Sequence, residues 1–304
     1  THKQSVRIYA PVGSHKDLLP YLVRRLLENG ANSSFVHRLV DARCPVESLT
    51  QHPVDMLNAF STPNNTNIPL PPSVFSERKN SLGINVDIDS EAEKFDHEVE
   101  HFLKQTWVAG PIINGESLAE SMIKDDINIV DVRAPYDRRI SVGKVSFATE
   151  ALVNQAIKGA SKAFSMWSTT PKSQRAVILE KLADLLEQNL AELVAICHQE
   201  AGKTIHDSID EVREAVDFCR YYAKQTDALG DKTVKGFDGK DRIVSQQGRG
   251  VFVCVSPWNF PLAIFLGQVV AALVAGNTVV AKPAEQTSLI AGRAVELMKE
   301  AGFP

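Results

Sequence analysis

The chain has 304 residues, of which 44% are hydrophobic, and its formal net charge is −4 at pH 7. This composition is typical of a globular protein, and the lack of a basic excess argues against nucleic-acid binding. The four cysteines are widely spaced, with no C-x-x-C pair and no histidine at zinc-ligand spacing. They predict mostly buried, reduced thiols of a cytosolic protein and no metal site.

A strand, a loop and a helix are predicted near the start of the chain. Residues 6–10 (VRIYA) favour a strand, and the apolar pattern predicts a helix from Leu18 onwards. Asp17 can cap this helix, and Pro20 then falls in the first turn, where a missing N–H has no cost. Gly30 predicts the end of the helix.

One sector of this helix carries Tyr21, Arg24, Arg25 and Glu28, opposite a stripe of leucines and a valine. Two neighbouring arginines repel each other and therefore favour an anion between them, and a carboxylate can accept paired hydrogen bonds from each guanidinium. Glu28, one turn further along, can hold the pair in place. The same pattern also fits an ordinary solvated helix face, because most surface charges contribute little to stability.

The middle of the chain changes character several times. Residues 62–89 are rich in Pro, Asn and Ser, which indicates a linker or an arm that wraps a surface. Residues 90–124 regain a helical pattern, and residues 133–145 read as an extended stretch with a turn. At least three amphipathic helices are predicted between residues 150 and 227.

Residues 251–281 contain no Asp, Glu, Lys, Arg or His, which raises the question of a membrane span. Pro257, Pro261 and the Gly276–Asn277 pair divide this run into pieces too short to cross a bilayer. A strand, a helix and a second strand are predicted instead, followed by a helix near residues 288–301. This alternation is typical of a parallel sheet.

Polar residues follow both of these strands. Asn259 comes after the first strand, and Lys282 and Glu285 come at the end of the second. Ligands bind at the carboxyl ends of strands in such sheets. The Asn259 amide is an uncharged donor that suits an oxyanion hole, and Lys282 and Glu285 offer a donor and an acceptor to ribose hydroxyls. Taken singly, the asparagine also fits a turn former and the lysine a solvated side chain.

Residues 8–38 (IYAPVGSHKDLLPYLVRRLLENGANSSFVHR) resemble the last strand and helix of the proline dehydrogenase barrel in the proline utilization A family. The resemblance implies that Arg24 and Arg25 bind the carboxylate of proline, that Glu28 orients them and that Tyr9 packs over the substrate. In this family the flavin lies in a (βα)8 barrel. No flavin motif is present here, so FAD is implied by the resemblance alone.

The segments SPWNFP at residues 256–261 and KPAEQTS at residues 282–288 resemble the aldehyde dehydrogenase superfamily. Residues 200–223 (EAGKTIHDSIDEVREAVDFCRYYA) resemble, more narrowly, the glutamate semialdehyde dehydrogenase half of proline utilization A. The resemblance implies that Asn259 donates to the oxyanion of a thiohemiacetal and that Glu214 lies near the aldehyde entrance.

The same resemblance implies an NAD site. Ser256, Pro257 and Trp258 would line the cofactor cleft, and Lys282 and Glu285 would hold the adenosine ribose. The expected fold class is α/β. It comprises the C-terminal end of a (βα)8 flavin barrel at 1–75, a connecting helical linker at 76–125, and the N-terminal part of an aldehyde dehydrogenase-like, Rossmann-type NAD-binding domain at 126–304.

The resemblance implies a parent enzyme that oxidises L-proline to pyrroline-5-carboxylate with FAD and then glutamate semialdehyde to L-glutamate with NAD⁺. Such a parent is expected to be a cytoplasmic homo-oligomer that could reach quinone at the inner membrane surface. None of the four cysteines stands in the nucleophile's context, so this chain, as an internal piece, is expected to be inactive alone. Two alternatives stay open: a monofunctional NAD-dependent aldehyde dehydrogenase with an N-terminal extension, and a non-catalytic scaffold fragment.

Overall fold

The computed structural model describes residues 13–30, 35–62 and 64–304. The chain divides into two compact units, Thr1–Ile68 and Pro69–Pro304. The strand predicted at residues 6–10 lies outside the described residues, as does Tyr9. The described part of the first unit forms helices α1 His15–Gly30, α2 Phe35–Val40, α3 Val46–Thr50 and α4 Pro53–Asn58.

Helix α1 starts at His15, so the prediction that Asp17 caps a helix starting at Leu18 was wrong. The backbone N–H of Leu18 donates to the carbonyl oxygen of Ser14 (2.9 Å), which places the first helical hydrogen bond before the predicted start. Pro20 therefore lies beyond the first turn, where its missing N–H removes one backbone hydrogen bond. A single lost bond near the helix start does not prevent the helix from forming.

Helix α1 ends at Gly30, as predicted. Apolar side chains of the predicted stripe are exposed on this helix, namely Leu19, Leu22, Val23 and Leu27. The opposite sector carries the arginines considered below.

The second unit is α/β, which confirms the predicted fold class. Its elements up to residue 169 are a 3₁₀ turn Pro71–Ser73, α5 Asp89–Phe102, β1 Trp107–Ala109, β2 Ile112–Ile113, β3 Glu116–Ser117, α6 Ala119–Lys124, β4 Ile129–Arg133, β5 Ser141–Ser146 and α7 Glu150–Thr169. Its further elements are α8 Lys172–Gln188, α9 Leu190–Ala201, α10 Ile205–Gln225, a 3₁₀ turn Thr226–Ala228, β6 Lys232–Lys235, β7 Asp241–Val244, β8 Val251–Val255, α11 Ala263–Val274, β9 Thr278–Lys282, a 3₁₀ turn Glu285–Thr287 and α12 Ser288–Ala301.

A small sheet precedes the long helices. Its strand order is β1-β5-β4, with β1 parallel and β4 antiparallel to β5. The extended stretch with a turn that the sequence predicts is the β4–β5 hairpin.

Helices α7 to α10 confirm the prediction of at least three consecutive amphipathic helices. Helices α8 and α9, together with α11 and α12, supply the centre of the core. Their fully buried side chains include Leu179, Leu182, Leu186, Leu193, Ile196, Leu266, Ile290 and Leu297. The apolar face of each amphipathic helix is therefore the face that packs against this core.

Strands β8 and β9 are parallel, with the register running from Val251↔Thr278 to Val255↔Lys282. Helix α11 connects them, and Gly276, at φ +88°, turns the chain from this helix into β9. Strand, helix and strand therefore occupy residues 251–281, as predicted. Within the described ranges, no helix is both long and apolar enough to cross a membrane.

A buried arginine joins α8 to α10. The Arg220 side chain is only 1% exposed, and its guanidinium donates to Glu187 (2.8 and 2.9 Å) and to Asp184 (2.9 Å). Removing one partner of a buried ion pair typically costs about 3–5 kcal/mol, because the other charge is left uncompensated. The ion pairs of Arg220 therefore contribute to the packing of α8 against α10.

Part of the Pro- and Ser-rich segment wraps this helix pair. The Ser81 N–H and hydroxyl donate to the two carboxylate oxygens of Asp217 (2.9 and 2.8 Å), and the Leu82 N–H donates to Glu187 (2.7 Å). Residues 62–89 are interpreted from the sequence as a linker or as an arm that wraps a surface. The contacts of residues 81–82 fit the arm.

Candidate active site

The two segments SPWNFP and KPAEQTS emerge side by side. Val255 pairs with Lys282 in the last register position of the sheet, and the Ser256 N–H donates to the Lys282 carbonyl oxygen (3.2 Å). Because the strands are parallel, both loops leave the same edge. The structure therefore brings the residues predicted on these two segments to one place, at the carboxyl ends of β8 and β9, whereas Glu214 lies on α10.

Asn259 lies exposed in the first of these loops, next to the exposed Pro257 and Trp258. Its backbone carbonyl oxygen accepts a hydrogen bond from the Lys203 ammonium (3.1 Å). Its side-chain amide makes no hydrogen bond to any of the described residues. This amide can therefore donate to a ligand without first breaking an internal bond.

The NAD-binding residues predicted from the sequence offer both donors and acceptors. The buried Ser256 hydroxyl has no hydrogen-bond partner among the described residues. Lys282 and Glu285 are exposed, and each is bonded only weakly to its own neighbour: Lys282 Nζ lies 3.2 Å from the Pro283 oxygen, and Gln286 Nε2 lies 3.2 Å from Glu285 Oε1. Lys282 and Glu285 thus offer an exposed cation and an exposed carboxylate at the end of β9, and their contact with the adenosine ribose of NAD stays a prediction.

The connection between α9 and α10 is rigid at both ends. Gly202 ends α9 in the left-handed conformation, at φ +70°. The Thr204 hydroxyl caps α10 by accepting a hydrogen bond from the Asp207 N–H (3.0 Å). Lys203 stands between these caps, so its backbone is fixed.

Glu211, on α10, is almost fully buried, with 1% of its side chain exposed. Its Oε1 accepts hydrogen bonds from the N–H groups of Leu262 (3.0 Å) and Ala263 (2.8 Å) at the start of α11. Its Oε2 lies 3.0 Å from the Lys203 ammonium. The N-terminus of a helix favours a negative charge, so α11 and Lys203 together compensate this buried carboxylate.

Glu200 makes a similar contact to the second loop. Its two carboxylate oxygens accept hydrogen bonds from the N–H groups of Leu289 (2.7 Å) and Ile290 (2.9 Å), near the start of α12. Burial raises the pKa of Glu200 to about 8, against the opposing effect of these N–H groups. Residues 200–211 thus anchor the helix that follows each strand-end loop.

Glu214 is exposed and lies on α10, one turn beyond Glu211. Burial raises the pKa of Glu214, the Glu211 carboxylate raises it further, and Lys203 lowers it. Glu214 is therefore close enough to Glu211 and Lys203 for their charges to change its pKa. Its role near an aldehyde entrance stays a prediction.

The arginine pair of α1 belongs to the first unit. Arg24 and Arg25 are both exposed, and the Arg25 guanidinium carbon lies 5.5 Å from the centre of the Tyr21 ring. The side chain of Glu28 lies outside the described residues, as does Tyr9. The carboxylate clamp that the sequence predicts from these residues stays a prediction.

All four cysteines lie within the described residues and are free thiols. Cys197 and Cys219 are fully buried, and burial raises the pKa of each thiol well above its ordinary value. Cys254 lies inside β8, where burial also raises its pKa, and Cys44 lies in the first unit. The second unit therefore holds no exposed thiol that could ionise readily beside Asn259.

The sequence patterns did not predict that Glu200, Lys203 and Glu211 belong to the site. A signal was present for Glu211, because it falls on the face of α10 that carries Val212, Ala215 and other buried side chains. A carboxylate at such a position needs a partner inside the protein. The backbone donors that bind Glu211, at Leu262 and Ala263, are about fifty residues away in sequence, so the pattern could not identify them.

The chain belongs to the aldehyde dehydrogenase family. The model of the aldehyde dehydrogenase family matches residues 122–304, more than half of the chain, and the model of proline dehydrogenase matches residues 1–38. These two matches confirm the two families that the sequence resembles and their order along the chain.

The similarity extends to bifunctional proteins. The Bifunctional protein PutA of Salmonella typhimurium is 41% identical over 98% of this chain, which covers 22% of that relative. A crystal structure of Bradyrhizobium japonicum proline utilization A matches 97% of this chain and 26% of its own, with 43% identity and a TM-score of 0.69. The chain thus spans about a fifth of the length of the curated bifunctional relatives it matches.

The chain is also similar to a shorter relative. The structure of 1-pyrroline-5-carboxylate dehydrogenase from Thermus with bound NAD covers 79% of this chain and 44% of its own, with 27% identity and a TM-score of 0.68. The fold that carries the candidate active site is therefore one that binds NAD in this relative.

We predict that the stability of the chain depends on pH through Glu200. Its pKa rises from an ordinary 4.5 to about 8 on folding, so between these values the folded chain keeps a proton that the unfolded chain releases. This contribution is full below about pH 4.5 and is lost as the pH rises through about 8, by up to about 1.4 kcal/mol per pH unit. Urea denaturation at several pH values measures the slope.

Glu200→Gln is expected to flatten this slope because an amide does not titrate. Glu98→Gln, on the exposed side of α5, is the matched control and should leave the slope unchanged. An equal slope in Glu200→Gln and in the unsubstituted chain would contradict the assignment.

Proposed function

We propose that this chain is part of a bifunctional enzyme of proline catabolism. The enzyme oxidises L-proline to pyrroline-5-carboxylate with FAD and then oxidises glutamate semialdehyde to L-glutamate with NAD⁺. The observation that carries the proposal is the pairing of two strand ends, which places Asn259 on one loop and Lys282 with Glu285 on the adjacent loop. The bifunctional relatives, which match both units over nearly the whole chain, support the combination.

The dehydrogenase half uses the loops at the ends of β8 and β9. Bound NAD⁺ supplies the hydride acceptor for the reaction. Lys282 and Glu285 hold its adenosine ribose, and Ser256, Pro257 and Trp258 line the cleft. The exposure of Pro257, Trp258, Lys282 and Glu285 fits these roles, and Ser256 is buried with a hydroxyl that has no partner among the described residues.

Asn259 acts on the aldehyde. Negative charge develops on the aldehyde oxygen as a nucleophile attacks its carbon, and a preorganised amide donor stabilises that charge. The Asn259 amide is unused by the described residues and lies on an anchored loop, which favours this role. Glu214, whose pKa is changed by the charges of Glu211 and Lys203, lies near the entrance for the semialdehyde.

We predict that Asn259→Ala in the full-length protein lowers kcat for semialdehyde oxidation by roughly 10²–10³-fold, the usual effect of removing one oxyanion donor. The KM for NAD⁺ should stay within about twofold, because the ribose contacts lie on the other loop. Steady-state kinetics with varied semialdehyde and NAD⁺ measure both. Asn154→Ala, on the exposed face of α7, serves as the control, and a normal kcat in Asn259→Ala would refute the role.

The proline dehydrogenase half uses Arg24 and Arg25 of α1. Their guanidiniums would bind the carboxylate of proline, with Glu28 orienting them and Tyr9 packing over the ring. Among the described residues of the first unit, no strand is present, so these residues by themselves define no flavin site. FAD is proposed from the relatives and from the match to the proline dehydrogenase family.

We predict that Arg25→Met in the full-length protein raises the KM for proline by about 10–100-fold, because hydrogen bonds to a charged group contribute about 1.5–3 kcal/mol. Proline oxidation with an artificial electron acceptor measures this. Arg43→Met, an exposed arginine of the same unit paired with Asp41 (2.9 Å), should leave the KM unchanged. An unchanged KM in Arg25→Met would favour a monofunctional aldehyde dehydrogenase with an N-terminal extension.

We further propose that the 304-residue chain does not oxidise the semialdehyde by itself. The three thiols of the second unit are buried and have raised pKa values, so this unit supplies no readily formed thiolate beside Asn259. We predict no formation of NADH and little bound flavin, measured by absorbance on the purified chain. The full-length protein, assayed in parallel, should be active; if it were not, the scaffold alternative would stand.

The full-length enzyme is proposed to be a cytoplasmic homo-oligomer. Its reduced flavin would pass electrons to quinone, either free or at the membrane surface. The four free thiols fit a reducing compartment.

A further inference from the structure

Lys203 makes three contacts beneath the Asn259 loop. Its ammonium lies 3.0 Å from Glu211 Oε2, donates to the Asn259 carbonyl oxygen (3.1 Å) and lies 4.9 Å from the centre of the Phe260 ring. Only 16% of its side chain is exposed. A lysine that is so largely desolvated is held by these groups and not by water.

Glu211 fixes the other end of the same loop. It accepts the N–H groups of Leu262 and Ala263, so the chain entering α11 cannot shift without breaking two hydrogen bonds to a buried carboxylate. These bonds and the ion pair to Lys203 join the carbonyl of Asn259 to the start of the helix. Two residues, Phe260 and Pro261, lie between the two attachment points.

Both anchors lie on or beside capped helices. Lys203 stands between the left-handed Gly202 and the capping Thr204, and Glu211 lies within the 21-residue helix α10. A side chain positioned on such a support keeps its orientation, which a proline-flanked loop alone does not guarantee. The peptide plane after Asn259 is therefore set by groups outside the loop.

We propose that Lys203 and Glu211 are positioning residues that orient Asn259 for oxyanion binding, an inference that rests on the proposed dehydrogenase function. Lys203 fixes the carbonyl of Asn259, and Glu211 holds both the ammonium and the helix that follows. Neither side chain contacts the loop of Lys282 and Glu285, whose following helix is anchored by Glu200. The pair therefore acts on kcat and leaves NAD⁺ binding unchanged.

The test uses the full-length protein. Lys203→Met leaves the Glu211 carboxylate buried without a counter-charge, which destabilises the fold, so K203M/E211Q is measured beside it because this double variant removes both charges. We expect kcat for semialdehyde oxidation to fall by about 10–100-fold in both variants, since small errors in orientation have effects of that size. The KM for NAD⁺ and the rate of proline oxidation should each stay within about twofold.

Two further variants separate positioning from stability. Lys203→Arg keeps a cationic donor near the Asn259 carbonyl and should recover most of kcat. Lys224→Met removes a lysine from α10, the helix that carries Glu211; Lys224 pairs there with the exposed Asp227 (2.7 Å), and its loss should change neither kcat nor the melting temperature.

A double-mutant comparison decides whether the pair acts through Asn259. If it does, adding K203M/E211Q to Asn259→Ala lowers kcat by no more than about twofold, because the donor they orient is already gone. A further tenfold loss would overturn the inference, as would a normal kcat in K203M/E211Q alone. A normal kcat in Asn259→Ala would instead overturn the proposed function on which the inference rests.

Discussion

Two parallel strands cannot be joined by a tight turn, so the chain between β8 and β9 has to return as a helix before the second strand begins. Helix α11 is that return, and most of it is buried because it packs between the sheet and α10. The pairing of Val255 with Lys282 then makes both strands end at one edge. Every polar group proposed to contact NAD⁺ or the aldehyde oxygen in the second unit, apart from Glu214, lies on the two loops that start there.

These loops are followed by helices whose first N–H groups have no partner within the helix. The second unit satisfies them with two buried acidic side chains, Glu211 for α11 and Glu200 for α12. Burying a carboxylate is costly unless hydrogen bonds and opposite charge compensate it, and Glu211 has both, whereas burial raises the pKa of Glu200 to about 8. The same contacts that satisfy the helix ends hold the two loops in place, so local stability and the geometry of the candidate site have one origin.

Sequence patterns located most elements of the second unit because each pattern reflects burial. The uncharged run at 251–281, broken by two prolines and Gly276, predicted β8, α11 and β9, and the leucine spacing predicted α8 to α10. The start of α1 was predicted too late. Asp17 is a good capping residue, but the first helical hydrogen bond runs from the Leu18 N–H to the Ser14 carbonyl oxygen, which the sequence does not show. The β6–β7 hairpin was missed, although Asp238–Gly239 in its loop is a recognised turn signal.

Residue patterns alone predicted the fold class, the strand ends that carry Asn259, Lys282 and Glu285, and the families that the chain resembles. They could do so because periodicity, breakers and short motifs are local properties of the chain. The meeting of Lys203 and Glu211 at the Asn259 carbonyl, and the link from Arg220 to α8, became visible only in the folded chain. The contacts from Lys203 to Asn259 and from Arg220 to Glu187 join residues more than thirty positions apart. Which buried charge meets which partner depends on how the helices pack, and no local pattern records that.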